Sequence, residues 1–171
     1  MCIRDRNILD EFGNFSVDTS RAFKARNDGS FTDQAQELGL DDTARGRGIV
    51  CDDLDNDGDI DILQLHSNSL NALSLWQNNY NGPNNFLKVE LQCSAPNTQA
   101  IGARIAIDVN GQTYVREVNL GSNFASHNST IQHFGLGTAG SVDSLTVTWP
   151  SGEQSELSAI EINQTIRISQ N

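Results

Sequence analysis

A dense group of carboxylates marks the first third of this chain. Residues 53–61 read Asp-Leu-Asp-Asn-Asp-Gly-Asp-Ile-Asp, so that an acid occupies every second position. At an effective dielectric constant of about 20, two carboxylates about 4 Å apart repel each other by about 4 kcal/mol. A hard cation that binds about six to eight oxygens would remove this repulsion, which favours Ca²⁺ over Mg²⁺. Gly58 permits the tight turn that would bring the acids together.

Two designs of calcium loop begin in this way. An EF-hand requires a Glu at its twelfth position and a helix on each side. Counted from Asp53, that position is Gln64, and the flanking segments 48–51 and 60–65 are short and β-branched, which predicts strands. The other design, Asp-x-Asp-x-Asp-Gly-x-x-Asp closing a β-hairpin, is matched in full. Its predicted ligands are the side chains of Asp53, Asp55, Asp57 and Asp61 and the backbone carbonyl of Asp59. A solvated acidic turn without a metal is the alternative.

The composition describes a polar, turn-rich globular chain. It has 171 residues, enough for one large or two small domains, with 37% hydrophobic and 19% charged residues. The net charge of −11 argues against binding to nucleic acid or to anionic lipid, both of which require a basic face. No run approaches the roughly 20 apolar residues of a membrane span.

The cysteines and the first residues indicate little about location. None of Cys2, Cys51 and Cys93 lies in a Cys-x-x-Cys pair, so zinc is unsupported, and Cys51 and Cys93 are either a disulfide or two thiols. Residues 1–6 have neither the apolar core nor the cleavage pattern of a signal peptide. We expect these six residues to be an artefact or disordered, with the true N-terminus upstream.

The first half reads as part of a β-propeller. Segments within 7–19, 20–26 and 72–78 are predicted strands, Asp28-Gly29 predicts a hairpin turn, and residues 33–38 predict one helical turn. Residues 23–29 resemble residues 75–82 at a spacing of about 52, which is near the length of a propeller blade.

The second half alternates apolar and polar residues in short segments separated by turns. These predicted strands lie at 86–91, 103–109, 112–118, 145–149 and 165–168, and Asn110-Gly111 predicts a type I′ turn. The pattern predicts an antiparallel sandwich or small barrel. Clustered Gly, Pro and Asn place the domain boundary near residue 82.

Residues of the types that catalyse hydrolysis are better explained by structural roles. His127, Ser129, His133 and Asp143 include the types of a hydrolytic triad, but the Gly-x-Ser-x-Gly elbow is missing. We expect residues 133–137 to form a turn, with Phe134 and Leu136 in the core and the histidine hydrogen-bonded.

Three further features have a structural interpretation, and for two of them a ligand-binding role is the alternative. We expect His66 to be structural. Arg104, Arg116 and Glu117 lie on adjacent predicted strands, where a cross-strand ion pair or a sugar- or carboxylate-binding site would fit. Trp149 is expected in the core or a turn, and stacking on a sugar is its alternative.

Two stretches resemble known families. Residues 27–33, 46–49 and 53–61 resemble the FG-GAP/VCBS repeat, which forms the blades of integrin-α-like propellers and whose acidic loop binds calcium. The segments 100–104, 116–118, 121–122, 126–128, 133–137, 142–143 and 149–152 follow one another as in the ASPIC/UnbV domain, which commonly ends secreted proteins built from VCBS repeats. The resemblance implies calcium ligation by the loop and supplies no catalytic residues. With one acidic loop, the chain is interpreted as a C-terminal fragment.

We therefore predict an all-β chain with a propeller-blade region at 7–82 and an ASPIC/UnbV-type β-domain at 83–171. The predicted function is a calcium-binding, non-catalytic module for extracellular binding or adhesion, located outside the cell, on its surface or in the periplasm. Its partners would be an unknown protein or glycan and the upstream blades of the full-length protein. The alternatives are an ancillary domain of a larger secreted enzyme and a carbohydrate-binding module.

Overall fold

Every regular element in the described part of the chain is a β-strand. The computed structural model describes residues 2–4, 19–44, 46–66 and 72–170. No helix there is long and apolar enough to cross a membrane. The described residues divide into two units, of which the first contains those up to Cys51 together with Asp61–Gln77 and Asn123–Ser126. The second contains Asp52–Ile60, Asn78–Ser122 and the residues from His127 onward. The all-β fold class is confirmed.

The first unit consists of two small sheets. One has the order β1 (Cys2–Arg4), β2 (Arg21–Ala25), β3 (Phe31–Asp33), and the other has the order β4 (Gly46–Asp52), β5 (Asp61–His66), β6 (Leu73–Trp76). Its buried cluster is small, formed by Ala22, Ala35, Leu40 and Ile62 with Ile49, Cys51 and Trp76 packed against it. Little apolar surface is therefore buried among the described residues of this unit.

Local predictions in the first unit are largely confirmed. Gly29, at a φ of 81°, lies in the turn between β2 and β3. Residues 34–39 make one hydrogen-bonded turn, in which the Asp33 carboxylate accepts the Ala35 N–H and Gly39 has a φ of 67°. Cys2–Arg4 pair with β2, and the expectation that residues 1–6 are an artefact or disordered stays a prediction. The strand expected within 7–19 falls mainly outside the described residues.

The second unit has two sheets over one core. The first has the order β10 (Gln132–Gly137), β7 (Asn85–Gln92), β13 (Gln164–Ser169), and the second has the order β12 (Gln154–Ile160), β11 (Val142–Thr148), β8 (Arg104–Val109), β9 (Gln112–Glu117). Alternate residues of both sheets enter one buried cluster, among them Leu87, Val89, Ile105, Ile107, Phe134, Leu145 and Val147. Period-two burial is what the alternating sequence predicts.

Three features of this unit differ from the prediction. Residues 133–137, expected as a turn, belong to strand β10, although Phe134 and Leu136 are buried as expected. Strand β12 was not predicted, because it is mostly exposed and lacks an apolar alternation. The pairing is not entirely antiparallel, since β13 runs parallel to β7. Parallel neighbours require a long connection, and here the whole of β8–β12 supplies it.

The predicted turn between β8 and β9 is confirmed. Asn110 and Gly111 connect these strands with φ angles of 50° and 78°, as a type I′ turn requires. Arg104 lies opposite Glu117 in that hairpin, while Arg116 lies over the Phe134 ring at 5.5 Å. Cys51 and Cys93 are half-buried thiols and do not form a disulfide.

Acid is expected to weaken the second unit through Asp108. The Thr113 and Ser144 hydroxyls donate hydrogen bonds to this carboxylate and lower the pKa of Asp108 below its ordinary value. A carboxyl whose pKa is lower in the folded state stabilises the fold above about pH 4, and this contribution is lost as the pH falls through the folded pKa. Urea unfolding should therefore show a smaller loss of stability below pH 4 for D108N than for the wild type. The variant E156Q removes an exposed carboxylate from β12 and serves as control; an equal loss in D108N and E156Q would contradict the assignment.

Candidate metal centre

The acidic loop connects two neighbouring strands. It follows β4 and precedes β5, which confirms the strand-like flanks and excludes the paired helices of an EF-hand. Residues Asp52–Ile60 group with the second unit, whereas Asp61 begins β5 in the first. The domain boundary expected near residue 82 stays a prediction.

The loop is curled by hydrogen bonds from its own backbone. The carboxylates of Asp53 and Asp57 accept the N–H groups of Gly58 and Asp59 at 3.1 and 2.9 Å. The Asp55 carboxylate accepts the N–H of Asp57 at 3.3 Å. Asn56 and Gly58 have φ angles of 63° and 99°, which reverse the chain inside the loop.

The structure brings three of the predicted ligands together. Carboxylate oxygens of Asp53, Asp55 and Asp57 all lie within 4.8 Å of one another. Two oxygens on one calcium ion, each at about 2.3–2.6 Å, can be at most about 5 Å apart, so this spacing fits a shared ion. Asp59 lies in the same loop, and Asp61 is buried as the first residue of β5.

Lys88 forms a buried ion pair with this cluster. Its ammonium lies 2.7 Å from Asp53 Oδ2 and donates to Asn56 Oδ1 at 3.0 Å. The side chains of Lys88 and Asp53 are 10% and 0% exposed. Lys88 was not predicted as part of the site, because Lys88 occupies a polar position in the alternation of β7. One signal could have suggested it: clustered acids require a positive charge nearby.

The second oxygen of Asp53 lacks a hydrogen-bond partner. Asp53 Oδ1 is buried, and no described residue donates to it. An unsatisfied buried polar atom costs about 1–3 kcal/mol, and more when it is charged. The arrangement therefore contains one buried carboxylate oxygen with capacity for a cationic ligand.

Two aromatic rings support the loop from β7 and β10. The Phe86 ring packs directly on Gly58, and a Cβ atom at Gly58 would lie 2.2 Å from it. His133 stacks on Phe86 with ring centroids 5.7 Å apart and planes 11° apart. Its Nε2 lies 2.9 Å from the Gly58 carbonyl, so this nitrogen carries the proton and donates. The expectation that His133 is hydrogen-bonded is confirmed, and its partner is the acidic loop.

Replacement of Gly58 by Ala should disrupt the loop. The residue combines a φ of 99° with contact to the Phe86 ring, so a methyl group meets both backbone strain and a clash. We expect G58A to lose about 2–3 kcal/mol in the free energy of unfolding, measured in urea. G111A tests the same substitution at a positive φ with open space around it, and its loss should be smaller. Equal losses would show that contact with Phe86 is unimportant.

The triad residue types are not assembled. His127 Nδ1 is hydrogen-bonded to the Asn128 carbonyl. The Ser129 hydroxyl accepts a hydrogen bond from the Ile131 N–H, and the Asp143 carboxylate accepts one from the Asn110 N–H. His133 is committed to Gly58. Trp149 is 2% exposed and donates to Ser155, so its expected place in the core is confirmed and the alternative of stacking on a sugar is wrong.

A second serine–histidine–aspartate group lies in the first unit. His66 Nε2 is 2.8 Å from Ser74 Oγ, which donates to Asp42 at 2.8 Å. Burial raises the pKa of Asp42, but hydrogen bonds from Ala44 and Ser74 and the nearby His66 lower it overall. In a catalytic triad the carboxylate binds the histidine nitrogen remote from the serine, whereas His66 Nδ1 is buried without a partner among the described residues. The group therefore holds β5 and β6 together, as expected for a structural His66.

Comparison with known proteins identifies the C-terminal part. Residues 93–171 match the protein family described as ASPIC and UnbV. Cartilage acidic protein 1 of Mus musculus is 31% identical over 137 residues, which cover 75% of this chain and 20% of that protein. Cartilage acidic protein 1 of Homo sapiens is 30% identical over 137 residues, with the same coverage of each chain. The corresponding Xenopus tropicalis protein is 31% identical over 115 residues, covering 64% of this chain and 17% of its own length.

These similarities confirm part of the predicted resemblance. Residues 93–171 match the ASPIC and UnbV family, which supports the resemblance predicted for the second half. The chain spans about a fifth of the length of the mouse and human relatives. The resemblance of the first half to the FG-GAP/VCBS repeat stays a prediction.

Proposed function

We propose that the chain is a calcium-stabilised, non-catalytic binding module that acts outside the cell. Calcium would be held by Asp53, Asp55 and Asp57, and the two acids that follow in the motif, Asp59 and Asp61, are the further candidates. The metal would neutralise mutually repelling acids and so fix the loop. Recognition would be performed by the surrounding protein surface.

One observation supports the metal most directly: Asp53 Oδ1 is buried with no hydrogen-bond partner among the described residues, and two exposed carboxylates lie beside it. Three carboxylates and the Lys88 ammonium leave two negative charges, which a divalent cation balances. The donors are hard oxygens, as calcium prefers. Lys88 occupies Asp53 Oδ2, so Oδ1 is the oxygen available to the ion.

The proposed extracellular location is supported by the relatives. Their name refers to an acidic protein of cartilage, and this chain is also acidic, with a net charge of −11. We further propose that the first unit belongs to a propeller whose other blades lie upstream, which would cover the exposed edges of its short strands. An ancillary role in a secreted enzyme is the alternative, and the domain content of the full-length gene distinguishes the two.

Calorimetric titration tests the metal. Ca²⁺ titrated into the chain should bind at one site, and D55N/D57N should abolish the heat of binding. The double variant E156Q/E161Q removes two exposed carboxylates from another part of the chain and should bind as the wild type does. Failure of the wild type to bind Ca²⁺ would overturn the proposed metal function.

A further inference from the structure

A polar cleft lies beside the acidic loop, within the second unit. Its volume is about 700 Å³, which lies in the range of about 300–1,000 Å³ typical of small-molecule sites. One wall contains Asp57 and Asp59 of the loop, and another contains the segment from Asn78 to Asn85. Gly135 and Gly137 of β10 contribute to its lining without side chains, which leaves room inside.

The lining of this cleft is rich in amides, and none of the described residues that line it is a lysine or arginine. Five asparagines contribute to it: Asn78, Asn81, Asn84, Asn85 and Asn163. Asn85 and Asn163 bond to each other and to backbone groups, so they are structural. Asn81 and Asn84 are exposed. A primary amide both donates and accepts hydrogen bonds, which matches the paired donors and acceptors of neighbouring hydroxyl groups.

Tyr80 adds an aromatic ring to the same cleft. The residue is 53% exposed, and its ring packs on Gly82, where a Cβ atom would lie 2.1 Å away. A tyrosine ring has few rotatable bonds and presents an apolar face at little cost in conformational entropy. The hydroxyl at its edge adds one donor and one acceptor.

We propose that this cleft binds a neutral carbohydrate of two or three sugar units. Amides, carboxylates and an exposed aromatic ring recognise hydroxyls and the apolar face of a sugar ring, while Asp57 and Asp59 disfavour anionic sugars. This proposal names a class of ligand for the proposed binding function. It rests on that function and is independent of the proposed calcium site. A cationic peptide attracted by the two carboxylates is the competing ligand, which the test includes.

Nuclear magnetic resonance titration of the ¹⁵N-labelled chain tests the proposal. The probes are neutral di- and trisaccharides of glucose, mannose and galactose, a sialylated trisaccharide, and a lysine-rich tripeptide, each added in Ca²⁺ and in EDTA. We expect at least one neutral sugar to shift the amide signals of residues 78–85 and of Gly135. Shifts only with the peptide, shifts only elsewhere in the chain, or no shifts with any probe would overturn the inference.

Two variants and their controls define the site. Y80A should weaken sugar binding about tenfold or more, and F124A, which removes another exposed aromatic ring, should leave it unchanged. Gly135 is exposed, has an ordinary φ and has no atom within 4 Å of an added Cβ, so G135L fills the cleft without strain. G135L should abolish binding, whereas G140L, at a glycine with equally open surroundings, should preserve it. Equal binding by all variants would contradict the site.

The metal and the sugar proposals can fail separately. Sugar binding without a calorimetric response to Ca²⁺ would leave the cleft assigned and reject the metal. Calcium binding without any sugar response would keep the metal and reject the cleft.

Discussion

Calcium at 1 mM is expected to raise the thermal unfolding midpoint of this chain by about 5–10 °C relative to EDTA. A ligand that binds only the folded state stabilises it by about 2.7 kcal/mol at one hundred times its dissociation constant. For chains of about 150–250 residues, 1 kcal/mol corresponds to about 2–4 °C in the midpoint. Differential scanning calorimetry measures both quantities. Mg²⁺ should have a smaller effect, because it requires a tighter octahedral arrangement and gives up its water reluctantly.

The same experiment on D55N/D57N separates ion binding from general screening of charge. In EDTA this variant should be at least as stable as the wild type, because repulsion among the three clustered carboxylates has been relieved. It should gain nothing from calcium. The double variant E156Q/E161Q should keep the full calcium response. A calcium response that persists in D55N/D57N would place the ion elsewhere and contradict the proposed ligands.

Replacement of Lys88 by Met is expected to cost about 3–5 kcal/mol in the free energy of unfolding in EDTA. The substitution leaves Asp53 buried with an uncompensated charge, and removal of one partner of a buried ion pair has costs of this size. Calcium should recover part of the loss, since the ion would then be the counter-charge of the loop. Urea unfolding with and without calcium measures both effects.

Two further variants show whether the Lys88 effect comes from its pairing. K88M/D53N should be less destabilised than K88M, because no buried charge remains. K24M removes an exposed lysine from β2 and should change stability by no more than about 0.5 kcal/mol. If K88M were as mild as K24M, the buried pair would have no structural importance.

Spacing within the acidic loop predicted the convergence of three carboxylates. Alternate acids around Gly58 curl the backbone through bonds between near neighbours, and Asp53, Asp55 and Asp57 lie together. The side chain of Asp61, which was also predicted as a ligand, is not in this group. The strands on either side of the loop could also be predicted from local sequence, because β-branched segments bounded by turn residues form β4 and β5.

Groups that come from distant positions could not be predicted. Lys88 and His133 reach the loop from 35 and 75 residues away, and no local pattern around either position connects it with the loop. The Gly-rich residues 133–137 look like a turn, yet tertiary pairing with β7 makes them a strand. The parallel pairing of β13 likewise depends on the order of strands in the sheet and not on any feature of residues 164–169.

A crystal structure of the protein grown in 5 mM CaCl₂ would show whether the acidic loop holds calcium. We expect one ion within about 2.3–2.6 Å of Asp53 Oδ1 and of carboxylate oxygens of Asp55 and Asp57, with Lys88 still paired to Asp53 Oδ2. Anomalous scattering would identify the ion as calcium. A loop that keeps its shape in calcium with water alone beside Asp53 Oδ1 would contradict the account, and Lys88 would then be the sole counter-cation of Asp53.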